Sequence, residues 1–306
     1  MAKSSGVKAA GKVTVDVSSK KARAAILAER ISAVATSYDE TEEEAPRFII
    51  PGILPVGLTI LSGAPKAAKK STFAIDVALA LTSDHRSYVL EEAGAHGEDL
   101  NDYIPKDLSA MMLCLEMSPG EVKFLSEKFI HNGKVRPGLD LAFINKPFDY
   151  IMRDPNKLPP IVRIIEECEP DFLVIDTFAR SHTLNENDPA IVNQMLGPVQ
   201  KAAMQVNCAV LLIHHTRKTG QNRSNQPVDV HDEVRGTSAI FGEARGSIVL
   251  VREVPKGEKD YANVPVKAHC RFRSAGDSTF LWYPDTIFDK SLQKPKSWET
   301  DEGDDE

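Results

Sequence analysis

The stretch LTILSGAPKAAKKSTFAIDVALALT, residues 58–82, joins a short apolar run to a long apolar segment through a loop of small and basic residues. The first five residues have the length and composition of a buried strand. Residues 71–82 are apolar on nearly every side, as expected of a helix buried against a sheet. The order strand, loop, helix predicts the beginning of an α/β domain.

The loop within this stretch comes close to the phosphate-binding pattern GxxxxGK[ST], the Walker A or P-loop motif. In that pattern, backbone N–H groups at a helix N-terminus converge on phosphate oxygens, the lysine reaches the terminal phosphates and the hydroxyl binds magnesium. Lys70 and Ser71 supply the lysine and the hydroxyl here. The predicted nucleotide-binding residues are Gly63, Ala64, Pro65, Lys66, Ala67, Ala68, Lys69, Lys70, Ser71 and Thr72.

Two features separate this loop from the pattern. Lys69 stands where the pattern has its second glycine, so this residue must adopt a backbone conformation that glycine reaches at little cost. The spacing from Gly63 to Lys70 is also one residue longer than the pattern. The loop by itself therefore leaves two interpretations open, a nucleotide site and the start of an Ala/Lys-rich helix.

Four further apolar runs follow the loop, and each has the composition of a strand buried on both faces. Their sequences are MMLCLE (111–116), FLVID (172–176), AVLLIHH (209–215) and SIVLVRE (247–253). Helical segments separate most of them. This order predicts a mostly parallel central sheet flanked by helices, with ligands at the carboxyl ends of its strands.

Two carboxylates lie at the ends of these runs. Asp176 closes FLVID, where a carboxylate can orient magnesium opposite the loop serine, and Glu116 closes MMLCLE, where it can polarise an attacking water. Either residue alone is as well explained by a helix cap or an exposed side chain. Because they recur with Lys70 and Ser71 at successive predicted strand ends, we favour a single site for ATP and Mg²⁺.

The chain carries a formal charge of −7, but many of its acids are concentrated in two short runs. DETEEEA (39–45) and WETDEGDDE (298–306) hold eleven acids and no base, and the remainder of the chain carries +4. Such runs are typical of solvated, flexible segments. We expect a flexible N-terminal segment over residues 1–46, a folded domain over 47–290 and a disordered acidic tail over 291–306.

The N-terminal segment contains one amphipathic stretch, KKARAAILAERISAV (20–34). A short helix there can pack on its own domain or dock on a neighbouring subunit, and both interpretations stay open. The sequence shows no apolar run of signal-peptide or membrane-spanning length, and its four cysteines form no CxxC pair. We therefore expect a soluble cytoplasmic protein without a membrane association.

Taken together, these segments resemble RecA-like ATPases of the hexameric replicative helicase type, especially plasmid RepA-like helicases and related phage ATPases. The resemblance spans residues 48–285. It rests on GAPKAAKKSTFAIDVALAL, LEMS, PDFLVIDTFARSHTLNENDP, LLIHHTRK and EVRGTSAIFGEARGSIVLV. It implies a RecA-like P-loop core with antiparallel strands at its C-terminal end.

The resemblance also implies roles for individual residues. Lys70 would contact the β and γ phosphates, Ser71 and Asp176 would serve the magnesium, and Glu116 would be the general base for water. His214 matches the polar sensor that detects the γ-phosphate. Metal ligation and plain strand-end polarity are the alternatives for the pair of histidines, although neighbouring strand residues point to opposite faces.

A basic pair in CRFRSAGDST, Arg271 and Arg273, matches the residues that reach into the neighbouring subunit's site in this family. Solvated arginines on an edge strand are the alternative, and Arg235 is a rival or additional phosphate contact. If the pair acts in this way, ATP turnover depends on assembly of a homo-oligomer, which the resemblance implies to be a hexameric ring.

The polar loop TRKTGQNRSNQPVDVHDEV follows the histidines and carries Arg217, Lys218 and Arg223. In RecA-like rings this loop tracks single-stranded DNA, and RSHTLNENDPA (180–190) is a second candidate. The resulting prediction is an ATP-dependent DNA helicase of phage or plasmid replication, with priming left to a primase or another replication protein. A RecA-like recombinase or recombination mediator and a slow-turnover ATP-binding regulator are the alternatives.

Overall fold

The structure is a computed structural model, and it describes residues 47–65, 68–93, 99–105, 108–129, 141–144, 157–216, 229–233, 238–252, 264–273 and 276–284. The helix predicted over residues 20–34, the acidic run 39–45 and the tail 291–306 lie outside the described residues. The strands are β1 (Phe48–Ile50), β2 (Leu54–Pro55), β3 (Gly57–Gly63), β4 (Ala110–Cys114), β5 (Leu141–Ile144), β6 (Phe172–Asp176), β7 (Ala209–His215), β8 (Gly246–Val251), β9 (Val266–Phe272) and β10 (Gly276–Trp282). The helices are α1 (Lys70–Thr82), α2 (Tyr88–Ala93), α3 (Pro119–Phe129), α4 (Pro160–Cys168), α5 (Pro189–Gln205) and α6 (Ala239–Glu243).

Eight of these strands form one sheet in the order β10-β9-β8-β3-β7-β6-β4-β5, and β1 and β2 form a separate antiparallel pair. Strands β8, β3, β7, β6, β4 and β5 run parallel, whereas β9 and β10 continue the sheet antiparallel. The predicted fold class is confirmed: a mostly parallel sheet flanked by helices, with antiparallel strands at its C-terminal end. Its topology is RecA-like.

Helices cover both faces of the sheet because its central strands are apolar on both sides. On one face α1 is buried along nearly its whole length, and its Phe73 packs edge-on against Trp282 at a ring-centroid distance of 5.6 Å. On the other face α4, α5 and α6 pack against a second apolar cluster. Asp188 caps α5 by accepting hydrogen bonds from the N–H groups of Ala190 and Ile191.

Parallel strands bring their carboxyl ends to one edge of the sheet, here called the carboxyl edge. The strand ends Gly63, Cys114, Asp176 and His215 lie there. The opposite edge, called the amino edge, holds the beginnings of β3 and β8. Because β9 runs antiparallel, its last residue Phe272 pairs with the first residue of β8 and lies at the amino edge.

Three of the four cysteines, Cys114, Cys208 and Cys270, are buried as the apolar runs around them predict. Burial raises the pKa of each of these thiols to about 12, so they remain neutral and act as small apolar side chains. Cys168 is exposed. Within the described residues, no helix has the length and apolar character needed to span a membrane.

Candidate nucleotide-binding site

The loop between β3 and α1, here called the phosphate loop, begins at Gly63, where the chain passes close to Leu250 of β8 and to Ala68 of the loop itself. A Cβ atom at this position would lie 2.7 Å from the carbonyl oxygen of Leu250 and 2.7 Å from the Cβ of Ala68. Lys69, at the other end of the loop, has φ 53° and ψ 35° and so adopts the left-handed conformation. The prediction that Lys69 takes a backbone conformation preferred by glycine is confirmed.

Helix α1 starts directly after Lys69, and no side chain caps its N-terminus. Its first N–H groups and the positive end of its dipole therefore remain available to an anion. Lys70 is 6 % exposed, and its Nζ donates to the carbonyl oxygens of Gly63 at 2.8 Å and Ala64 at 3.2 Å. Burial lowers the pKa of Lys70 to about 8 against the opposing charges of two nearby carboxylates. A buried ammonium whose only hydrogen-bond acceptors are neutral oxygens is strongly stabilised by an anion placed beside it.

Asp176 lies across from α1 at the end of β6 and is 1 % exposed. Its Oδ2 accepts a hydrogen bond from the hydroxyl of Ser71 at 2.5 Å, and its Oδ1 is buried without a partner among the described residues. Burial raises the pKa of Asp176 to about 6, although the Ser71 hydroxyl and Lys70 oppose the rise. The site therefore holds a desolvated carboxylate oxygen that a cation would stabilise.

Glu116 lies two residues beyond the end of β4, and its side chain is exposed. Its Oε1 accepts a hydrogen bond from the Thr177 hydroxyl at 3.0 Å, and Nε2 of His215 lies 3.6 Å from the same oxygen. The interaction with His215, the Thr177 hydroxyl and the charge of Arg180 hold the pKa of Glu116 below its ordinary value. Glu116 is therefore a carboxylate at neutral pH, able to accept a proton.

The two histidines at the end of β7 point to opposite faces of the sheet, as strand geometry requires. His214 is fully buried on the face opposite α1, with its ring 5.3 Å from the ring of Phe178. The side chain that faces Glu116 is that of His215, and not that of His214 to which the resemblance assigned the sensor role. The alternation of side chains along β7 predicts this orientation, because Ile213 and His215 lie on the same face of the sheet and that face carries α1.

These side chains line one cavity of about 230 Å³ at the carboxyl edge. Its lining residues are Lys69, Lys70, Ser71, Thr72, Glu116, Met117, Leu125, Asp176, Thr177 and His215. The sequence predicted six of these residues, and the structure brings all six together. It adds Met117, Leu125, Thr177 and His215. The side chains of Thr177 and His215 contact Glu116, a relation that only the packing of β4, β6 and β7 reveals.

The residues of this cavity fit a magnesium ion. Mg²⁺ prefers oxygen ligands and is commonly held by one or two protein groups together with substrate phosphates and water. Ser71 and Asp176 supply a hydroxyl and a carboxylate that already lie in contact, and Oδ1 of Asp176 has no partner among the described residues.

Arg271 and Arg273 lie at the amino edge, on the far side of the sheet from the phosphate loop. Arg271 pairs with Ser247 near the start of β8, and the Arg273 N–H donates to the carbonyl oxygen of Arg245. Through β8, Arg271 is in register with Ile60, three residues before Gly63, which is roughly 10 Å along the strand at about 3.3 Å per residue. Cys270 and Phe272 pack on the face that carries α1, so the alternate residue Arg271 points to the opposite face, where Arg273 contacts α6. Neither arginine lines the cavity at the phosphate loop of its own chain.

Each of these two arginines already has local partners. Arg271 forms ion pairs with Asp229 at 2.8 Å and Asp277 at 3.1 Å, whereas Arg273 donates to the carbonyl oxygens of Phe241 and Gly242. Both line a second cavity of about 430 Å³. The predicted residues Lys66, Ala67, Arg217, Lys218, Arg223 and Arg235 lie outside the described residues.

A loop close to the Walker A pattern at the head of a buried helix, facing strand-end carboxylates on a mostly parallel sheet, is the arrangement of a RecA-like α/β fold. A model of the AAA domain family matches residues 27–221, more than half of the chain. The chain belongs to this AAA domain family.

Among solved structures, the chain resembles an ATPase domain with a TM-score of 0.50. The two chains are 13 % identical over an alignment that covers 86 % of this chain and 94 % of the other. At this identity the likeness establishes a shared fold. A search among curated proteins gives no match.

Proposed function

We propose that this chain hydrolyses ATP at the carboxyl edge of its sheet and uses the reaction to move along single-stranded DNA, as a replicative helicase of phage or plasmid type. The observation that carries the proposal is the convergence of Lys70, Ser71, Asp176 and Glu116 on one cavity. These are the four groups that phosphoryl transfer requires: a cation for the phosphates, a hydroxyl and a carboxylate for magnesium, and a base.

In the proposed reaction, the ammonium of Lys70 exchanges the carbonyl oxygens of Gly63 and Ala64 for the β and γ phosphates of ATP. Ser71 and Asp176 would hold Mg²⁺, which would neutralise part of the charge on these phosphates. Glu116 accepts a proton from a water molecule as the oxygen of that water attacks the γ-phosphorus. The bond from the γ-phosphorus to the β–γ bridging oxygen breaks, and ADP and phosphate are the products.

His215 is the residue we assign to the sensor role. It contacts the base Glu116 and lines the same cavity. The next residue, Thr216, donates its N–H to the carbonyl oxygen of Gly63 at 3.3 Å. Thr216, the last described residue before the basic segment that begins at residue 217, thus lies beside the phosphate loop. A change at the γ-phosphate has a short route through His215 to the segment proposed to contact DNA.

Arg271 and Arg273 complete the site in the proposed assembly, a homo-oligomeric ring. Their position at the amino edge supports action on the nucleotide of a neighbouring copy, because both lie outside the phosphate-loop cavity of their own chain and on the sheet face opposite α1. Of the two, Arg273 donates only to backbone carbonyl oxygens among the described residues, whereas Arg271 is held by two carboxylates. Arg273 is therefore the better candidate for direct contact with the transferred phosphoryl group.

The test is an ATPase assay with and without single-stranded DNA. We expect DNA to stimulate turnover, and we expect Lys70→Ala and Glu116→Gln each to lower kcat by roughly a thousandfold. Lys201→Ala and Glu121→Gln are matched controls, since both side chains are exposed and outside the cavity. Turnover that survives Glu116→Gln would contradict the assignment of the base.

The same series of experiments distinguishes two alternative functions from the proposed one. Binding of ATP without turnover supports the slow-turnover regulator, for which the substitution of the second loop glycine by Lys69 is the favouring observation. Strand displacement on a forked DNA duplex distinguishes a helicase from a recombinase, which pairs homologous strands without unwinding them. DNA-stimulated turnover with no strand displacement would therefore favour the recombinase.

A further inference from the structure

Thr177 follows Asp176 directly and presents its hydroxyl to Glu116. It is 1 % exposed, and its carbonyl oxygen accepts the N–H of Arg180 at 3.1 Å, which begins a short 3₁₀ turn. The backbone and the side chain of Thr177 are thus fixed by burial and by this turn. Its Oγ1 donates to Oε1 of Glu116 at 3.0 Å.

Glu116 has little else to fix it. It lies beyond the end of β4, its side chain is exposed, and three side-chain torsions separate the backbone from its carboxylate. Both contacts that the structure gives its carboxylate, from Thr177 and from His215, are to Oε1. Oε2 has no contact of this kind among the described residues. A carboxylate fixed through one oxygen presents the other in a defined direction.

We propose that Thr177 is a positioning residue, whose hydroxyl fixes Oε1 of Glu116 so that Oε2 accepts the proton of the attacking water. This inference rests on the proposed ATP hydrolysis. Because Thr177 is bonded to Asp176, one short segment sets both the carboxylate for magnesium and the orientation of the base. The placement of the base relative to the γ-phosphate then depends on this hydroxyl together with His215, and proton transfer is sensitive to such placement.

The experiment compares Thr177→Val, which removes only the hydroxyl, with Thr177→Ser, which keeps it. Thr279→Val is the control, because Thr279 is an exposed threonine on β10, outside the cavity. We expect Thr177→Val to lower kcat by about ten- to a hundredfold, as expected for a misplaced catalytic group. The KM for ATP and the dissociation constant of a fluorescent ATP analogue should change less than about threefold, because Thr177 does not hold the phosphates. Thr177→Ser should recover most of the lost kcat.

The outcomes separate this inference from the proposed function. If Thr177→Val keeps the wild-type kcat, or raises it, while Glu116→Gln abolishes turnover, the positioning role is wrong and the ATPase stands. If Thr177→Val raises the dissociation constant of the ATP analogue by the same factor as it lowers kcat, and also lowers Tm, Thr177 is structural and the positioning role is wrong. The same conclusion follows if Thr177→Ser recovers none of the lost kcat. If the wild type binds ATP without turnover, both the inference and the proposed function fail.

Discussion

At the carboxyl edge of the sheet Lys70 and Asp176 are buried charged groups, whereas at the amino edge Arg271 and Arg273 are exposed and have local partners. Asp176 is 1 % exposed and keeps one oxygen without a partner among the described residues. Arg271 is nearly half exposed and has two carboxylate partners. Burial of unpaired charge costs stability, and function is the usual reason that a fold retains it.

The difference suggests how the two edges work together. The carboxyl edge is preorganised for a cation and an anion that the chain itself does not supply. The amino edge carries cations whose present partners are exposed and therefore weakly held. In the proposed ring, a neighbouring copy would place its amino edge against this carboxyl edge, and the arginines would exchange their present partners for phosphate. The predictions below test whether the edges have these separate roles.

The largest expected effect concerns the amino edge. Arg273→Ala should lower kcat by roughly a thousandfold, the usual contribution of an arginine that contacts the transferred phosphoryl group. Its phosphate loop remains intact, so its affinity for ATP should change little. Mixing Arg273→Ala with Lys70→Ala subunits in equal amounts should restore turnover to about a quarter of the wild-type value. About one interface in four then pairs an intact Lys70 from one subunit with an intact Arg273 from its neighbour. The readout is ATPase rate against mixing ratio.

A mixture as inactive as its components would contradict a contribution from the neighbouring copy. Arg245→Ala is a useful control, since Arg245 lines the same cavity at the amino edge but has no proposed contact with phosphate. Its mixture with Lys70→Ala should show only the dilution expected from adding an inactive subunit.

The next effect concerns the buried carboxylate at the carboxyl edge. A carboxyl group whose pKa is raised from 3.8 to about 6 by folding binds protons more tightly in the folded state, so it destabilises the fold once it ionises. The cost appears as pH rises from about 4 to 6 and is complete above pH 6. In protein without Mg²⁺ and ATP, Asp176→Asn should therefore raise the free energy of unfolding at pH 7.5 by about 2–3 kcal/mol. Denaturant titrations at pH 7.5 and pH 4 measure this difference, which should vanish at pH 4.

The same variant should lose the stabilisation that Mg²⁺ and ATP give. Ligands that bind only the folded state raise Tm, so wild-type protein should gain thermal stability with Mg²⁺ and ATP while Asp176→Asn gains much less. Asp84→Asn is the control, because Asp84 is exposed. A destabilised Asp176→Asn variant at pH 7.5 would show that the hydrogen bond from Ser71 outweighs the cost of burial.

The sequence predicted the strands and the helix of the phosphate site, because continuous apolar runs are readable without knowledge of the packing. It also predicted from the missing glycine that Lys69 takes a backbone conformation that glycine reaches at little cost, which the structure shows to be left-handed. It did not identify Thr177 or His215 as neighbours of Glu116, because that relation depends on three strands that are distant in the sequence. Strand parity does predict which histidine faces α1 once α1 is placed on one face. The partners of Arg271 likewise depend on the pairing of β9 with β10.

The smallest expected effect concerns the ion pairs of Arg271. Asp277→Asn removes one of two exposed carboxylate partners, and exposed ion pairs contribute about 0–1 kcal/mol. We therefore expect the free energy of unfolding to fall by less than about 1 kcal/mol, and by less still at high salt, which screens exposed charges. Denaturant titrations of Asp277→Asn and Asp229→Asn at two salt concentrations provide the measurement. A loss above about 2 kcal/mol would make Arg271 a structural residue of the amino edge, and an arginine held that firmly is poorly suited to exchange its partners for the phosphate of a neighbouring copy.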